Sequence, residues 1–227
     1  MDLKSIEALV SEEKHDFISL VSLLSILRSD NGCPWDREQS HKSIRKCLIE
    51  ETYEVVEAID TDNVSLLKEE LGDLLFQVIF HSQIETEQGN FNIDDVISDI
   101  CDKMIFRHPH VFGDRSVSNP EQVAVNWDDI KLKEKGQKSM VQSIKKVPPS
   151  MPALMKAQKI QSKARRKLNK GFASREEALK FAIGQLSSGE NNSIPKAVFA
   201  LCAVADFDDN DIEKAVDDEC KTFLDRL

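Results

Sequence analysis

The sequence has few aromatic residues: Phe, Trp and Tyr make up 6% of its 227 residues, and only one tyrosine is present. β-Sandwiches and barrels are built from strands rich in aromatic and β-branched residues, and almost no stretch of this chain shows the strict alternation of a strand. Charged residues make up 31% of the sequence, and hydrophobic residues, at 41%, are enough for a packed core. The composition therefore predicts a helical protein of one or two domains.

Cysteines and long apolar runs are also scarce. The five cysteines are scattered and odd in number, and no two of them form a C-x-x-C pair, so neither a disulfide framework nor a structural zinc site is predicted. No apolar run approaches the roughly 18 residues of a membrane span, and the first residues are too charged for a signal peptide. We expect a cytoplasmic protein with reduced thiols and no membrane partner.

Positive charge is in deficit, because 30 Lys and Arg residues stand against 40 Asp and Glu residues. Binding to nucleic acid requires concentrated Lys and Arg against the phosphate backbone. A net charge of −10 therefore argues against a nucleic-acid partner. The deficit does not exclude a small anionic ligand that arrives with a metal ion.

Two acidic segments lie almost as mirror images about a short turn at residues 60–63. Glu54 and Glu70 are each eight residues from the third residue of this turn, and the next acids outward are each eleven residues from it. These outer acids are Glu51 and Asp73. If antiparallel helices flank the turn, equal steps bring the acids level, with Glu54 and Glu70 about 12 Å from the turn. Four converging carboxylates predict a site for Mg²⁺ or Mn²⁺.

A solvated helix face is the alternative explanation for these acids. Such a face normally carries Lys or Arg three or four residues from each acid, whereas none of the four acids has a cation at that spacing. Glu51 also lies on the apolar stripe of its helix, and Glu70 and Asp73 lie beside a second stripe. Carboxylates at the edge of a core are costly unless they are paired or bound to metal. The stripes are Ile44, Leu48, Val55 and Ile59, and Leu67, Leu71, Leu74 and Val78.

Helical periodicity and capping residues predict the organisation of the chain. A helix at 15–27 precedes a loop at 28–39, Ser40 is expected to cap the next helix, and a Pro-rich linker follows the first domain. The predicted domains are 1–140 and 153–227, with the linker at 141–152. The further predicted helices are 41–59, 64–88 capped by Asn63, 93–107 capped by Asn92, 120–138, 153–167, 174–186, 194–205 and 210–227.

Six ordered blocks of sequence give the chain a resemblance to the MazG family of nucleoside triphosphate pyrophosphohydrolases. This family belongs to an all-α superfamily with an E-E-x-x-E motif followed by E-x-x-D. The blocks are GCPWD at 32–36, QSH at 39–41, LIEETYEV at 48–55, EELGDLLFQV at 69–78, RHPHVF at 107–112, and Trp127 with Ile130, Lys131, Glu134 and Lys135. The resemblance implies an all-α helical bundle whose acid-bearing hairpin is completed by dimerisation.

The same resemblance implies hydrolysis of a nucleoside triphosphate to the monophosphate and pyrophosphate, dependent on Mg²⁺ or Mn²⁺. The metal ligands carried over from the motif are Glu51, Glu54, Glu70 and Asp73. Glu50 is the remaining motif glutamate; it either orients or deprotonates the attacking water or simply pairs with Lys46 on the surface.

Further residues are candidates for binding the substrate. Lys103, Arg107 and Lys131 are candidates for phosphate binding, although a single residue of this kind is more often a solvated cation. Trp35 either stacks on the base or anchors its loop. A homodimer is expected to cover an apolar face that includes Leu74, Val78, Phe80 and Ile84.

The second half departs from the family pattern. Glu176-Glu177 is not followed by the third glutamate, and Lys196 stands where the second motif requires aspartate. We expect a degenerate repeat that is kept for packing, and chemistry in the first domain only. Three alternatives remain: an enzyme for one particular nucleotide, a di-iron bundle using the E-x-x-H spacing at Glu38 and His41, and a catalytically reduced interaction or regulatory module.

Overall fold

The structure is a computed structural model that describes residues 3–114, 130 and 140–227. Within these residues every regular element is a helix, which confirms the predicted all-α class. The chain divides into two compact units, Met1–Arg115 and Ser116–Leu227. No helix in the described part of the chain is long and apolar enough to cross a membrane.

The first unit contains seven helices among its described residues, and two of them form a long antiparallel hairpin. The helices are α1 (Leu3–Val10), α2 (Phe17–Leu27), α3 (Pro34–Glu38), α4 (Arg45–Asp60), α5 (Val64–Gln88), α6 (Ile93–Arg107) and α7 (Pro109–Phe112). Helices α4 and α5 form the hairpin. The short helices α1 and α3 were not predicted from the sequence.

Local capping explains where the main helices begin and end. The Asn63 side chain accepts a hydrogen bond from the Leu66 N–H at the start of α5, and Gly89 ends that helix in a left-handed conformation. Asn92 caps α6 through a capping box with Asp95. These ends agree with the sequence prediction.

The prediction that Ser40 caps α4 was wrong, because α4 begins only at Arg45. The Ser40 carbonyl accepts hydrogen bonds from the Ser43 and Ile44 N–H groups, and the Ser40 side chain also accepts from the Ser43 N–H at 3.3 Å. The chain therefore makes a separate turn before the helix starts.

The core of the first unit lies where α2 packs against the carboxy-terminal half of α5. Leu24 is fully buried there, and Phe80 and Ile84 from α5 are 2% and 5% exposed. Both residues were expected on an exposed face that only a dimer would cover; α2 covers them within the monomer instead. The complete cluster is Leu24, Ile44, Ile79, Phe80, Ile84 and Ile93, flanked by Leu20, Val21, Leu27, Phe76 and Val96.

The second unit is also helical and has its own small core. Its described helices are α8 (Met140–Lys145), α9 (Ala153–Leu168), α10 (Arg175–Ser188), α11 (Ser193–Phe207) and α12 (Ile212–Leu224). Alanines dominate the buried positions where α10 meets α11, namely Ala178, Ala182, Ala197, Ala200 and Ala203. Residues 140–145, which were interpreted as part of a linker, are helical, and Lys163 of α9 bonds to Ser143 of α8 at 3.3 Å. The predicted helix at 120–138 lies outside the described residues except for Ile130.

A buried arginine fixes the loop between α2 and α4. The Arg28 side chain is 6% exposed and donates two hydrogen bonds to the Glu87 carboxylate, at 2.7 and 2.8 Å. Its third nitrogen donates to the backbone carbonyls of Asp36 and Gln39. The guanidinium therefore ties the segment around α3 to the end of α5.

Gly32 in the same loop approaches the backbone of α2 closely. A Cβ atom placed on Gly32 would lie 2.2 Å from the Ile26 carbonyl oxygen and 2.3 Å from that of Leu27. The neighbouring Cys33 N–H donates to the Leu27 carbonyl at 2.7 Å, so the chain cannot move away without losing this bond. Only glycine fits this position.

We expect Gly32→Ala to lower the free energy of unfolding of the first unit by about 1–3 kcal/mol, because the clash involves backbone atoms. Urea denaturation followed by circular dichroism measures the loss. Gly72→Ala is the control, since nothing lies within 4 Å of its added Cβ and alanine in a helix should stabilise by about 0.5–1 kcal/mol. Wild-type stability in Gly32→Ala would contradict the close approach.

Candidate metal centre

The geometry of the α4–α5 hairpin determines which acidic side chains come close to one another. Its turn is tight: the Asn63 N–H donates to the Ala58 carbonyl at 3.0 Å, and Asp62 adopts a positive φ of 51°. Val55 and Ala58 are buried between the turn and the acids. The helices therefore run side by side from the turn onward, as the mirrored spacing requires.

Three carboxylates from the two helices converge. One oxygen each from Glu51, Glu70 and Asp73 lies within 4.8 Å of the others. We call these three residues the acid cluster. Glu51 comes from α4, and the other two come from successive turns of α5. The sequence predicted four converging acids, and the structure brings three of them into this cluster.

Electrostatic repulsion is concentrated in the acid cluster. Burial, hydrogen bonding with Glu54 and repulsion by the neighbouring carboxylates raise the pKa of Glu51. Glu70 is 9% exposed, and its burial, followed by repulsion from Glu54 and Asp73, raises its pKa as well. Both shifts have the same physical origin, namely negative charge held together in a partly desolvated place.

The donor set fits a hard divalent cation. All of its atoms are carboxylate oxygens, which Mg²⁺ and Mn²⁺ prefer. No Lys or Arg in the described part of the chain forms an ion pair with the cluster. A cation would remove the repulsion that raises the pKa of Glu51 and Glu70.

Two further glutamates of the motif, Glu54 and Glu50, lie outside the acid cluster. Glu54 is exposed, and its carboxyl group is one of the neighbours that raise the pKa of Glu51. Glu50 is exposed on the neighbouring position of α4. The described residues show no ion pair between Glu50 and Lys46, so the structure does not provide the surface pair that was the alternative role for Glu50.

The predicted substrate-binding residues that the structure describes lie on α3 and α6. The Trp35 side chain lies on α3 with 62% of the residue exposed, so its ring does not anchor the loop; Arg28 does. Lys103 lies 3.7 Å from Asp99 on the surface of α6. Arg107 is half-buried at the end of α6. Lys131 and Trp127 lie outside the described residues.

A second polar network, which the sequence analysis did not identify, lies further along α5. His41 Nδ1 is 2.7 Å from His81 Nδ1, and His41 Nε2 is 2.5 Å from a Glu85 oxygen. Asn90 donates to the other Glu85 oxygen, and this bond and the one from His41 lower the pKa of Glu85. Burial and the adjacent His41 lower the pKa of His81.

The mirrored spacing about the turn is the sequence feature from which this network could have been predicted. The register that pairs Glu54 with Glu70 also places the residues before α4 beside positions 81–85. The same contacts show that the E-x-x-H spacing does not build a di-iron core. Glu38 is exposed, and His41 turns towards His81 and Glu85.

Comparison with known proteins places this hairpin in a recognised domain. Residues 39–112 match the family model of the MazG nucleotide pyrophosphohydrolase domain. This range contains all of α4 and α5 and therefore the whole acid cluster.

Several relatives are similar to the chain. A nucleoside triphosphate pyrophosphohydrolase/pyrophosphatase MazG from Thermotoga maritima is 50% identical over 148 residues, covering 65% of this chain and 56% of that protein. The nucleoside triphosphate pyrophosphohydrolase of Escherichia coli K12 is 46% identical over 154 residues, covering 67% and 57%. YabN of Bacillus subtilis, an uncharacterized protein, is 47% identical over 157 residues, covering 67% and 32%. The chain thus spans about a third of YabN and somewhat more than half of the other two.

We expect Asp73→Asn to stabilise the metal-free protein at neutral pH. A carboxyl whose folded pKa is raised stabilises the fold at low pH, and this contribution is lost as pH rises through the folded pKa. Glu51 and Glu70 are such groups, so at pH 7 the wild type carries repulsion that Asp73→Asn relieves. The midpoint of thermal unfolding in EDTA should rise by a few degrees, and the gain should shrink towards about pH 4.

Circular dichroism at a series of pH values measures this gain. Asp102→Asn, an exposed position on α6, is the matched control and should leave the midpoint nearly unchanged. A lower midpoint in Asp73→Asn than in the wild type would show that the carboxylate is a structural partner and not a source of repulsion.

Proposed function

Because residues 39–112 match the MazG nucleotide pyrophosphohydrolase domain, we propose that the first unit hydrolyses nucleoside triphosphates to nucleoside monophosphates and pyrophosphate with a divalent cation. The convergence of three carboxylate oxygens within 4.8 Å carries the proposal. This cluster lies inside residues 39–112, the range that matches the nucleotide pyrophosphohydrolase domain. Relatives from Thermotoga maritima and Escherichia coli carry the same activity in their names.

The acid cluster, with Glu54 beside it, is proposed to hold Mg²⁺ or Mn²⁺. Such an ion, when bound, neutralises phosphate charge and makes a water molecule more acidic. Glu54 adds negative charge beside Glu51, which strengthens the attraction of this site for a cation. The packing of Val55 and Ala58 against α5 fixes the spacing of the ligands before substrate arrives, which reduces reorganisation during the reaction.

Glu50 is proposed to take the proton of the attacking water. The water oxygen forms a bond to the α-phosphorus, the bond from that phosphorus to the bridging oxygen breaks, and pyrophosphate leaves. The exposed Glu50 lies next in sequence to Glu51, and the described residues contain no ion pair that would neutralise it. Its carboxylate is therefore available as a base.

The second unit is proposed to contribute packing and no chemistry. Its helices α10 and α11 meet through alanines. Two arginines of its α9 are engaged within the unit; Arg165 pairs with Asp206 and stacks over the Phe207 ring at 4.3 Å. Arg166 lies 3.7 Å from the same aspartate.

We expect the full chain to release pyrophosphate from ATP with Mg²⁺ or Mn²⁺ and to stop in EDTA. Glu54→Gln should lower kcat by roughly two orders of magnitude, because it removes a carboxylate beside the metal ligands. Coupled assay of pyrophosphate and chromatography of AMP measure both products. Since the second unit remains intact in this variant, the loss also tests whether that unit has a site of its own.

Glu57→Gln, one turn along α4 and exposed, is the control and should keep most of the activity. Release of phosphate and ADP would refute the proposed reaction. Turnover in EDTA would refute the metal, and wild-type turnover in Glu54→Gln would remove this residue from the site.

A homodimer is proposed through the apolar surface of the hairpin. On α5, Leu71 is 50% exposed, Leu75 is 39% exposed and Val78 is 38% exposed, and these positions lie on one face of the helix. On α4, Tyr53 is 56% exposed and Val56 is 44% exposed, and both extend this surface. Pairing two hairpins into a four-helix arrangement would cover this surface.

We expect sedimentation to give a dimer at micromolar concentration and Leu75→Glu to shift the protein towards monomer, because a buried charge opposes association. Val10→Glu, at an exposed valine of α1, is the control and should leave the dimer intact. A monomeric wild type would refute the dimer without affecting the proposed hydrolysis.

A further inference from the structure

Gln77 lies one helical turn beyond the acid cluster on α5. Four residues separate it from Asp73, a rise of about 6 Å along the helix. The residue is 8% exposed, and its Oε1 atom is buried without a hydrogen-bond partner in the described part of the chain. A buried polar atom without a partner costs free energy, and in native proteins such an atom meets an ordered water, an ion or a ligand group.

One turn further along α5, a second residue has a buried polar atom without a partner among the described residues, but contacts hold its side chain in place. This residue is His81, and the buried atom is its Nε2. Its ring is nevertheless held, because Nδ1 contacts His41 and the two rings stack with centroids 5.0 Å apart. The Gln77 side chain has no comparable ring contact, and its Oε1 makes no hydrogen bond in the described part of the chain, so Gln77 is the member of this row whose acceptor is available to a ligand.

The hydrogen-bonding chemistry of Gln77 Oε1 determines which group of a ligand it can bind. An amide oxygen accepts a hydrogen bond, so its ligand must supply a donor. The phosphate oxygens and the acid cluster are acceptors. In a nucleoside triphosphate whose α-phosphorus lies at the cluster, the sugar is the next group along the molecule, and its hydroxyls are donors.

We propose that Gln77 determines specificity at the sugar by accepting a hydrogen bond from a hydroxyl of the substrate through Oε1. This inference rests on the proposed hydrolysis, and it assigns a role to a residue outside the metal-binding motif. Substrate would provide the partner that the amide oxygen lacks. A substrate without that hydroxyl leaves the oxygen unpaired and is disfavoured.

The test compares kcat/KM for ATP, 2′-deoxy-ATP and 3′-deoxy-ATP in the wild type and in Gln77→Met. Methionine has nearly the same shape and no acceptor of comparable strength. We expect one deoxy analogue to lose roughly tenfold or more against ATP in the wild type and to lose little in Gln77→Met. Which analogue suffers identifies the 2′- or the 3′-hydroxyl as the donor.

Gln88→Met, at the exposed end of α5, is the matched control and should keep the wild-type preference. Thermal denaturation checks that Gln77→Met is folded. Equal use of all three substrates by the wild type would overturn the proposal. So would a Gln77→Met variant that keeps the wild-type preference or loses activity equally with all three.

A binding measurement separates this proposal from the hydrolysis on which it rests. Calorimetry with AMP, 2′-deoxy-AMP and 3′-deoxy-AMP should give the same preference in the wild type and its loss in Gln77→Met. A wild type without turnover would refute the hydrolysis, and the calorimetric preference would still decide the role of Gln77. Equal affinities for the three monophosphates would overturn it.

Discussion

The register of α4 against α5 is the constraint on which the first unit depends, because it holds like charges together. The two halves of helix α5 affect the stability of the fold in opposite directions. Its amino-terminal half carries Glu70 and Asp73, which repel Glu51 across the hairpin. Its carboxy-terminal half buries Phe80 and Ile84 beneath α2. Apolar burial at one end of a stiff helix therefore holds acids in place at the other end, where on their own they would separate.

The acid cluster differs from the rest of the described molecule in how its buried charge is compensated. Arg28 is almost fully buried but meets Glu87, and Asp206 is 9% exposed in its side chain but meets Arg165. Both pairs satisfy the rule that buried charges need partners. The acid cluster departs from this rule within the described residues, since carboxylates surround carboxylates there. A cation from solution would compensate this charge, and the phosphates of the proposed substrate would require the same compensation.

Local signals predicted the fold well, and signals that depend on packing did not. Asn63, Gly89 and Asn92 mark helix ends through bonds to their own neighbours, so the sequence alone identifies them. Helical periodicity shows that an apolar stripe exists but not what covers it. Ile59, assigned to the stripe of α4, is therefore 55% exposed, whereas Phe80 is buried by a helix far away in the sequence. The acid cluster was predictable because its spacing about one turn is itself local.

The alanines between α10 and α11 have a consequence for how the second unit can change over time. Ala182, Ala197 and Ala200 form one contact in which methyl groups occupy the space between the helices. A single change to glutamate there would bury a charge without a partner and without room. Each intermediate on the way to a pair of opposed carboxylates would be less stable than its predecessor. Because of this packing, mutation can gain a metal site between these helices much less easily than it can lose one.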